Sequence, residues 1–194
     1  FTERRSATAL EVAESVFQCT KTETAESPRA PMPLLHLVCS LGHCETVNVL
    51  ITFGVNVNAL DYQRRTPLHH AAGNGHSNVV KELLSTENAL DSLNSKDAQG
   101  ETPLHCAADG DHLKVVIALL DHTHNDLHTN NIMYIEMNPK NDNGWSPLHY
   151  AASRGHLEVV QALLGDKRVK ANARTFTADT PLHLAIKYGH YDVV

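Results

Sequence analysis

One tetrapeptide limits what this chain can fold into more than any other feature. It occurs as Thr66-Pro67-Leu68-His69, Thr102-Pro103-Leu104-His105, Ser146-Pro147-Leu148-His149 and Thr180-Pro181-Leu182-His183, with a damaged upstream copy, Pro33-Leu34-Leu35-His36. The histidines of these copies stand 33, 36, 44 and 34 residues apart. A period near 33 means an array of small units, none of which can bury its apolar face alone, so neighbours must stack. Arrays of that kind act through their surface, and binding is the function class this favours.

Each unit is readable from local chemistry. Thr or Ser opens the motif as a helix N-cap, its hydroxyl placed to accept from an unpaired amide of the first turn. Pro at the next position has its φ preset for helix and lacks an N–H that would go unpaired. Small residues follow (Ala71-Ala72, Ala107-Ala108, Ala151-Ala152), and Gly75 or Gly155 ends the helix in the left-handed conformation. After His76 and His156, the sets Val79, Val80, Leu83, Leu84 and Val159, Val160, Leu163, Leu164 each form one stripe of a second helix. Polar turn-forming runs, 58–61 and 95–100 among them, close the units.

The bulk numbers exclude several classes. With 194 residues, 42% of them apolar and 20% charged, the chain is an ordinary folded one that needs neither disulfide nor metal for its core. A net charge of −6 and the lack of a dense Lys/Arg block argue against nucleic acid as a partner. No run of apolar residues is long enough for a membrane span, so direct membrane insertion is not expected. Cys19, Cys39, Cys44 and Cys106 form no CxxC pair, which suits reduced thiols in an intracellular, cytoplasmic setting. His105 and Cys106 are helix neighbours that point in different directions, so they do not make a nucleophile and base.

The pattern TPLHxAAxxGHxxVVxxLL at this period resembles the ankyrin repeat, over residues 32–194. The resemblance implies an all-α ankyrin-repeat solenoid of stacked antiparallel helix pairs with β-hairpin or loop fingertips. The units divide at about 32–64, 65–100, 101–144, 145–178 and a truncated 179–194. It also implies that the motif His ties one unit to the next, and that His43, His76, His156 and His190 pack at the start of the second helices. Nine of the 14 histidines thereby receive structural roles, and no metal or cofactor is expected.

Such arrays usually bind on a concave face built from fingertips and the exposed ends of the first helices. Carried onto this chain, the partner-binding set is Tyr62, Gln63, Arg65, Asn74, Gln99, Glu101, Asp109, Asp142, Asn143, Trp145, Arg154, Phe176 and Tyr188. Aromatics and Arg, the usual interface anchors, are prominent in it. The expected function is a non-catalytic scaffold or adaptor module for a protein partner, with no small-molecule substrate. The alternative is a regulatory or targeting segment of a larger enzyme, ion channel or secreted effector whose activity lies elsewhere.

Departures from the repeat carry their own expectations. Pro33 deprives the first unit of its hydroxyl cap. Asp111 replaces the helix-ending Gly of the third unit and is among the few residues that visit the left-handed region without large strain. Arg64 and Ala178 replace the fingertip Gly, so altered tips are expected there. Residues 1–19 contain an amphipathic helix that can cap the stack, and 20–31 read as linker. The lack of an initiator Met, together with an end inside a helix, suggests a fragment. Residues 121–137 hold an insertion, read as an extension packing through Ile132, Met133 and Ile135, or else as a partner-contacting finger or a metal site on His122, His124 and His128.

Overall fold

The computed structural model describes residues 32–86, 90–122, 124–125, 132–133 and 135–194, and among these each of the four Thr-Pro or Ser-Pro pairs opens a helix. The chain runs through α1 (Leu34–Ser40) and α2 (Cys44–Thr52), then α3 (Pro67–Gly73) and α4 (Ser77–Leu84). A single-turn helix, α5 (Leu90–Leu93), precedes α6 (Pro103–Asp109) and α7 (Leu113–Asp121). A short antiparallel ribbon pairs β1 (His124–Asn125) with β2 (Ile132–Met133), His124 opposite Met133. The last elements are α8 (Pro147–Arg154), α9 (Leu157–Gly165) and α10 (Pro181–Tyr188). The helix and linker expected over 1–19 and 20–31 lie outside the described residues.

The first helices stack in one row, α1, α3, α6, α8 and α10, and the second helices in another, α2, α4, α7 and α9. This is the all-α ankyrin-type solenoid expected from the repeat. Between the rows, Leu68, Ala71 and Ala72 meet Val79, Val80 and Leu83, and the set recurs in the following pairs. The alanines let the two rows approach, while each fully buried Val or Leu contributes roughly 1.5–3 kcal/mol. The insertion rejoins this core through Ile135 and Met137, which are both buried. Glu136 N donates to Asn94 Oδ1 at 2.8 Å, tying that return to α5's neighbour.

The motif histidine holds both its own helix and the next unit. Its Nδ1 accepts from the N-cap backbone N–H, at 3.1 Å for His69 on Thr66, 3.0 Å for His105 on Thr102, 3.1 Å for His149 on Ser146 and 3.3 Å for His183 on Thr180. Its Nε2 reaches forward to a backbone carbonyl: Glu101 O for His69 and Trp145 O for His105, each at 3.0 Å, and Asp179 O for His149 at 3.3 Å. A carbonyl can only accept, so Nε2 carries the proton and the ring is neutral. The N-cap hydroxyl therefore donates to the bare Nδ1, at 2.9 Å in the Thr66 copy. Its expected acceptor role is seen at Thr180, 3.4 Å from His183 N.

At α1 the cap fails, as expected from Pro33. His36 Nε2 still donates to Ala59 O and Arg65 O, each at 3.0 Å. With neither N–H nor hydroxyl on Pro33, His36 Nδ1 is buried and unpaired.

The later histidine reaches backward. His76 donates to Ser40 O, His112 to Gly73 O and His156 to Asp109 O, each at 3.0 Å. The ring lies over the turn of the preceding unit so closely that a Cβ on Gly42 or Gly75 would stand 2.6 Å from it. Those glycines answer both a positive φ and this contact. Asp111 takes φ 59° as expected.

The tips correct one expectation. Asp61, Asp97, Asn141 and Thr175, all buried, each stand five residues before an N-cap. Asp61 Oδ1 accepts from Gln63 N and Arg65 N, both at 2.8 Å, and Asp97 and Asn141 repeat the arrangement. The altered tips expected at Arg64 and Ala178 are not found. Arg64 N donates to Asp61 O at 2.9 Å and Ala178 N to Thr175 O at 3.1 Å, matching Gly100 on Asp97 and Gly144 on Asn141. Both residues accept a left-handed φ, 60° and 66°. The buried acceptor and the tip-to-tip bonds (Ala98 N to Gln63 O at 2.8 Å, Phe176 N to Asn143 O at 3.3 Å) outweigh a local cost of about 1–2 kcal/mol.

Candidate partner-binding face

Tips and first helices share one side of the stack, and two grooves lie along it. One, of about 310 Å³, is lined by Arg65, His70, Asn74, Glu101, Cys106 and Asp109, between α3 and α6. The other, of about 420 Å³, is lined by Asn143, Trp145, Tyr150, Ser153, Arg154 and Tyr188, between α8 and α10. Three positions per unit build this face: the residue before the N-cap, the residue after the motif His, and the residue one helical turn later. A spacing of four puts His70 with Asn74 and Tyr150 with Arg154 on one face.

The middle position is the one the sequence reading missed. His70, Cys106 and Tyr150 occupy it, and the signal was present as the single variable site inside an otherwise repeated Leu-His-x-Ala-Ala. His112 was missed too, because Asp111 stands where Gly precedes the other members of its class.

In the first groove the charges are spent on one another. His70 Nε2 lies 2.8 Å from Asp61 Oδ2. Burial alone would raise the Asp61 carboxyl, but the bond from His70 and the N–H groups of Arg65 and Gln63 hold it below the ordinary value. Arg65 Nε donates to Asp97 Oδ2 at 3.0 Å, and its Nη2 stands 4.0 Å from Glu101. Cys39, a buried residue of α1, is a thiol that burial pushes up to about 12, which leaves it inert.

A hydrogen-bonded bridge joins the grooves. The Tyr150 hydroxyl donates to Glu101 Oε1 and accepts from Asn141 Nδ2 at 3.1 Å. Burial and the Glu101 carboxylate push its pKa up. Across the same divide Arg154 Nε donates to Asp109 Oδ1 at 2.8 Å, with Nη2 to Oδ2 at 3.5 Å. Trp145 packs on Tyr150, ring centroids 5.1 Å apart.

The expected partner-binding residues thus divide. Arg65, Glu101, Asp109 and Arg154 are engaged in internal pairs, and Trp145 is half-buried against Tyr150 while still lining a groove. Asn74, Asn143 and Tyr188 line the grooves as exposed side chains. Gln99 and Asp142 are exposed at the tips, Gln63 is half-buried there, and Tyr62 and Phe176 are exposed outside both grooves, Phe176 under Lys140 Nζ at 5.8 Å.

A stack of capped helix pairs with a tip-lined face defines a repeat-type interaction module. A family model described as ankyrin repeats (three copies) matches residues 35–131 and 125–194, and the chain belongs to the ankyrin repeat family, whose repeats generally mediate protein–protein contacts. It is similar to Rabankyrin-5 of Mus musculus, 45% identical over 69 residues, which is 36% of this chain and 6% of that protein. It is also similar to the ADP-ribosylation factor GTPase-activating protein AGD4 of Arabidopsis thaliana, 35% identical over 69 residues, 34% of this chain and 9% of that one. The E3 ubiquitin-protein ligase XBAT33 of Arabidopsis thaliana is 42% identical over 57 residues, 29% and 11%. The chain spans a small fraction of the length of these relatives. Among the described residues no helix is long and apolar enough to cross a membrane.

Proposed function

We propose that residues 32–194 act as a single protein-binding module that takes a protein partner on the tip-lined face, with no catalytic step of its own. The observation that carries this is the convergence of Trp145, Tyr150, Tyr188 and Arg154 on one groove from the tip, the middle and the end positions of neighbouring units. Aromatics and Arg gathered in one concavity are the residue types that dominate binding energy. The module is non-enzymatic and intracellular, and neither nucleic acid nor a small-molecule substrate is its ligand. A second reading is favoured by the small share of each relative that matches: the module serves as the regulatory or targeting segment of a longer protein.

The test pairs Trp145→Ala and Tyr188→Ala with a control, Glu158→Ala on α9. Partner capture is expected to fall at least about tenfold for the double variant, with urea stability kept and the control unchanged. Undiminished capture by a folded double variant would remove the assignment of this face.

A further inference from the structure

We infer that the groove between α8 and α10 takes a proline-rich segment in the polyproline II conformation that bears an acidic side chain, an inference that rests on the binding role proposed above. The groove's polar groups dictate what can enter it. The carboxylates at its border are engaged, Glu101 with the Tyr150 hydroxyl and Asp109 with Arg154, and the Tyr150 carbonyl receives the Ser153 hydroxyl at 2.9 Å. Tyr150 itself both donates and accepts. Of the side chains that line this groove, Trp145 leaves its indole N–H and Arg154 its Nη1 without a partner among the described residues, while the Asn143 amide and the Tyr188 hydroxyl are open both to donate and to accept. Indole and guanidinium cannot accept at all.

An occupant that satisfies Trp145 and Arg154 must bring unpaired acceptors and apolar surface for the rings, and few donors, because only the side-chain oxygens of Asn143, Ser153 and Tyr188 are open to receive one. A helix has its carbonyls bonded internally, and an extended strand brings an N–H with every residue. A polyproline II segment leaves its carbonyls free, and its prolines have no N–H. Its ridged apolar sides suit a trough floored by Trp145 and Tyr150 and walled by Tyr188, which is 53% exposed.

The acidic side chain follows from charge. Arg154 is 59% exposed and spends only Nε and one Nη on Asp109, so one edge of its fork is open to a carboxylate. Residues 138–194 carry seven Lys and Arg against five Asp and Glu, whereas 32–121 carry five against ten. An acidic ligand is thus steered toward the α8–α10 end and away from the rest of the face.

Trp145 is the sole tryptophan, so its indole N–H resonance reports this groove alone. The probes are a synthetic proline-rich peptide with one central glutamate, the same peptide with lysine in that place, and a serine-glycine peptide that keeps the glutamate. The first is expected to shift the Trp145 indole signal saturably, the second to bind about tenfold more weakly, and the third to leave the signal in place. By calorimetry, Trp145→Phe, which keeps a ring but loses the donor, weakens the first probe about tenfold, and Arg154→Gln removes the discrimination between glutamate and lysine. Equal binding of the serine-glycine peptide, or no binding of either proline-rich probe, overturns the inference. Should a helix-forming control peptide move the Trp145 signal instead, the inference falls while the binding role stands. If no peptide moves it, and the Trp145 and Tyr188 double variant also captures partner normally, both fall.

Discussion

The two grooves on the tip-lined face are built from the same three positions and differ in what is left over. Between α3 and α6 the side chains satisfy each other, through Asp61 with His70 and Arg65 with Asp97 and Glu101. Between α8 and α10 the corresponding positions hold Trp145, Tyr150 and Arg154, and hydrogen-bond donors remain unspent. A solenoid surface is therefore not uniformly a binding surface. Where internal pairing is complete the array is joining its own units, and where pairing runs out it can meet something else.

Acid should blur this contrast most. His69 and His105 lie buried beneath the grooves, and burial pulls both rings down to about 4. The unfolded chain takes up these protons near pH 6.5, the folded chain only near 4, so the unfolded state binds more protons throughout that window. Their contribution is complete above about pH 6.5 and is lost as pH falls toward 4, by up to about 1.4 kcal/mol per pH unit for each ring. Urea denaturation at stepped pH measures this, and a stability that stays flat across the window would refute the neutral-ring assignment.

A smaller effect comes from cutting the bridge between the grooves. Tyr150→Phe leaves Glu101 and Asn141 short of one bond each and should cost about 1–2 kcal/mol, with the Trp145 fluorescence changing because the ring it packs on loses both hydrogen bonds that fix it in place. An unchanged emission spectrum would mean the grooves are independent. Smallest of all, Arg154→Ala should alter stability by no more than about 0.5 kcal/mol, because the Asp109 pair is largely exposed. A loss of several kcal/mol would show that this pair belongs to the joint between units and not to the binding surface.

What could be read from the sequence follows how local each cause is. N-caps, N1 prolines, left-handed Gly75 and Asp111, and the orphaned cap at Pro33 are backbone requirements met within a few residues, and each appears where expected. Arg64 and Ala178 were misread because the deciding forces are not local: the buried Asp61 and Thr175 and the neighbouring tip hold the turn against its own preference. The face itself was half legible. Tip and helix-end positions followed from the resemblance, but that Arg154 meets Asp109, 45 residues away, depends on how units register in the stack, which no single unit encodes.

The forward bond of the motif histidine has an evolutionary consequence. His36, His69, His105 and His149 take hold of Arg65, Glu101, Trp145 and Asp179 by the backbone oxygen, and a peptide oxygen is the same whatever side chain it carries. Four unrelated residues accordingly stand at one and the same joint. The fastening is blind to the lettering, so mutation can rewrite what this surface recognises while the units stay locked together.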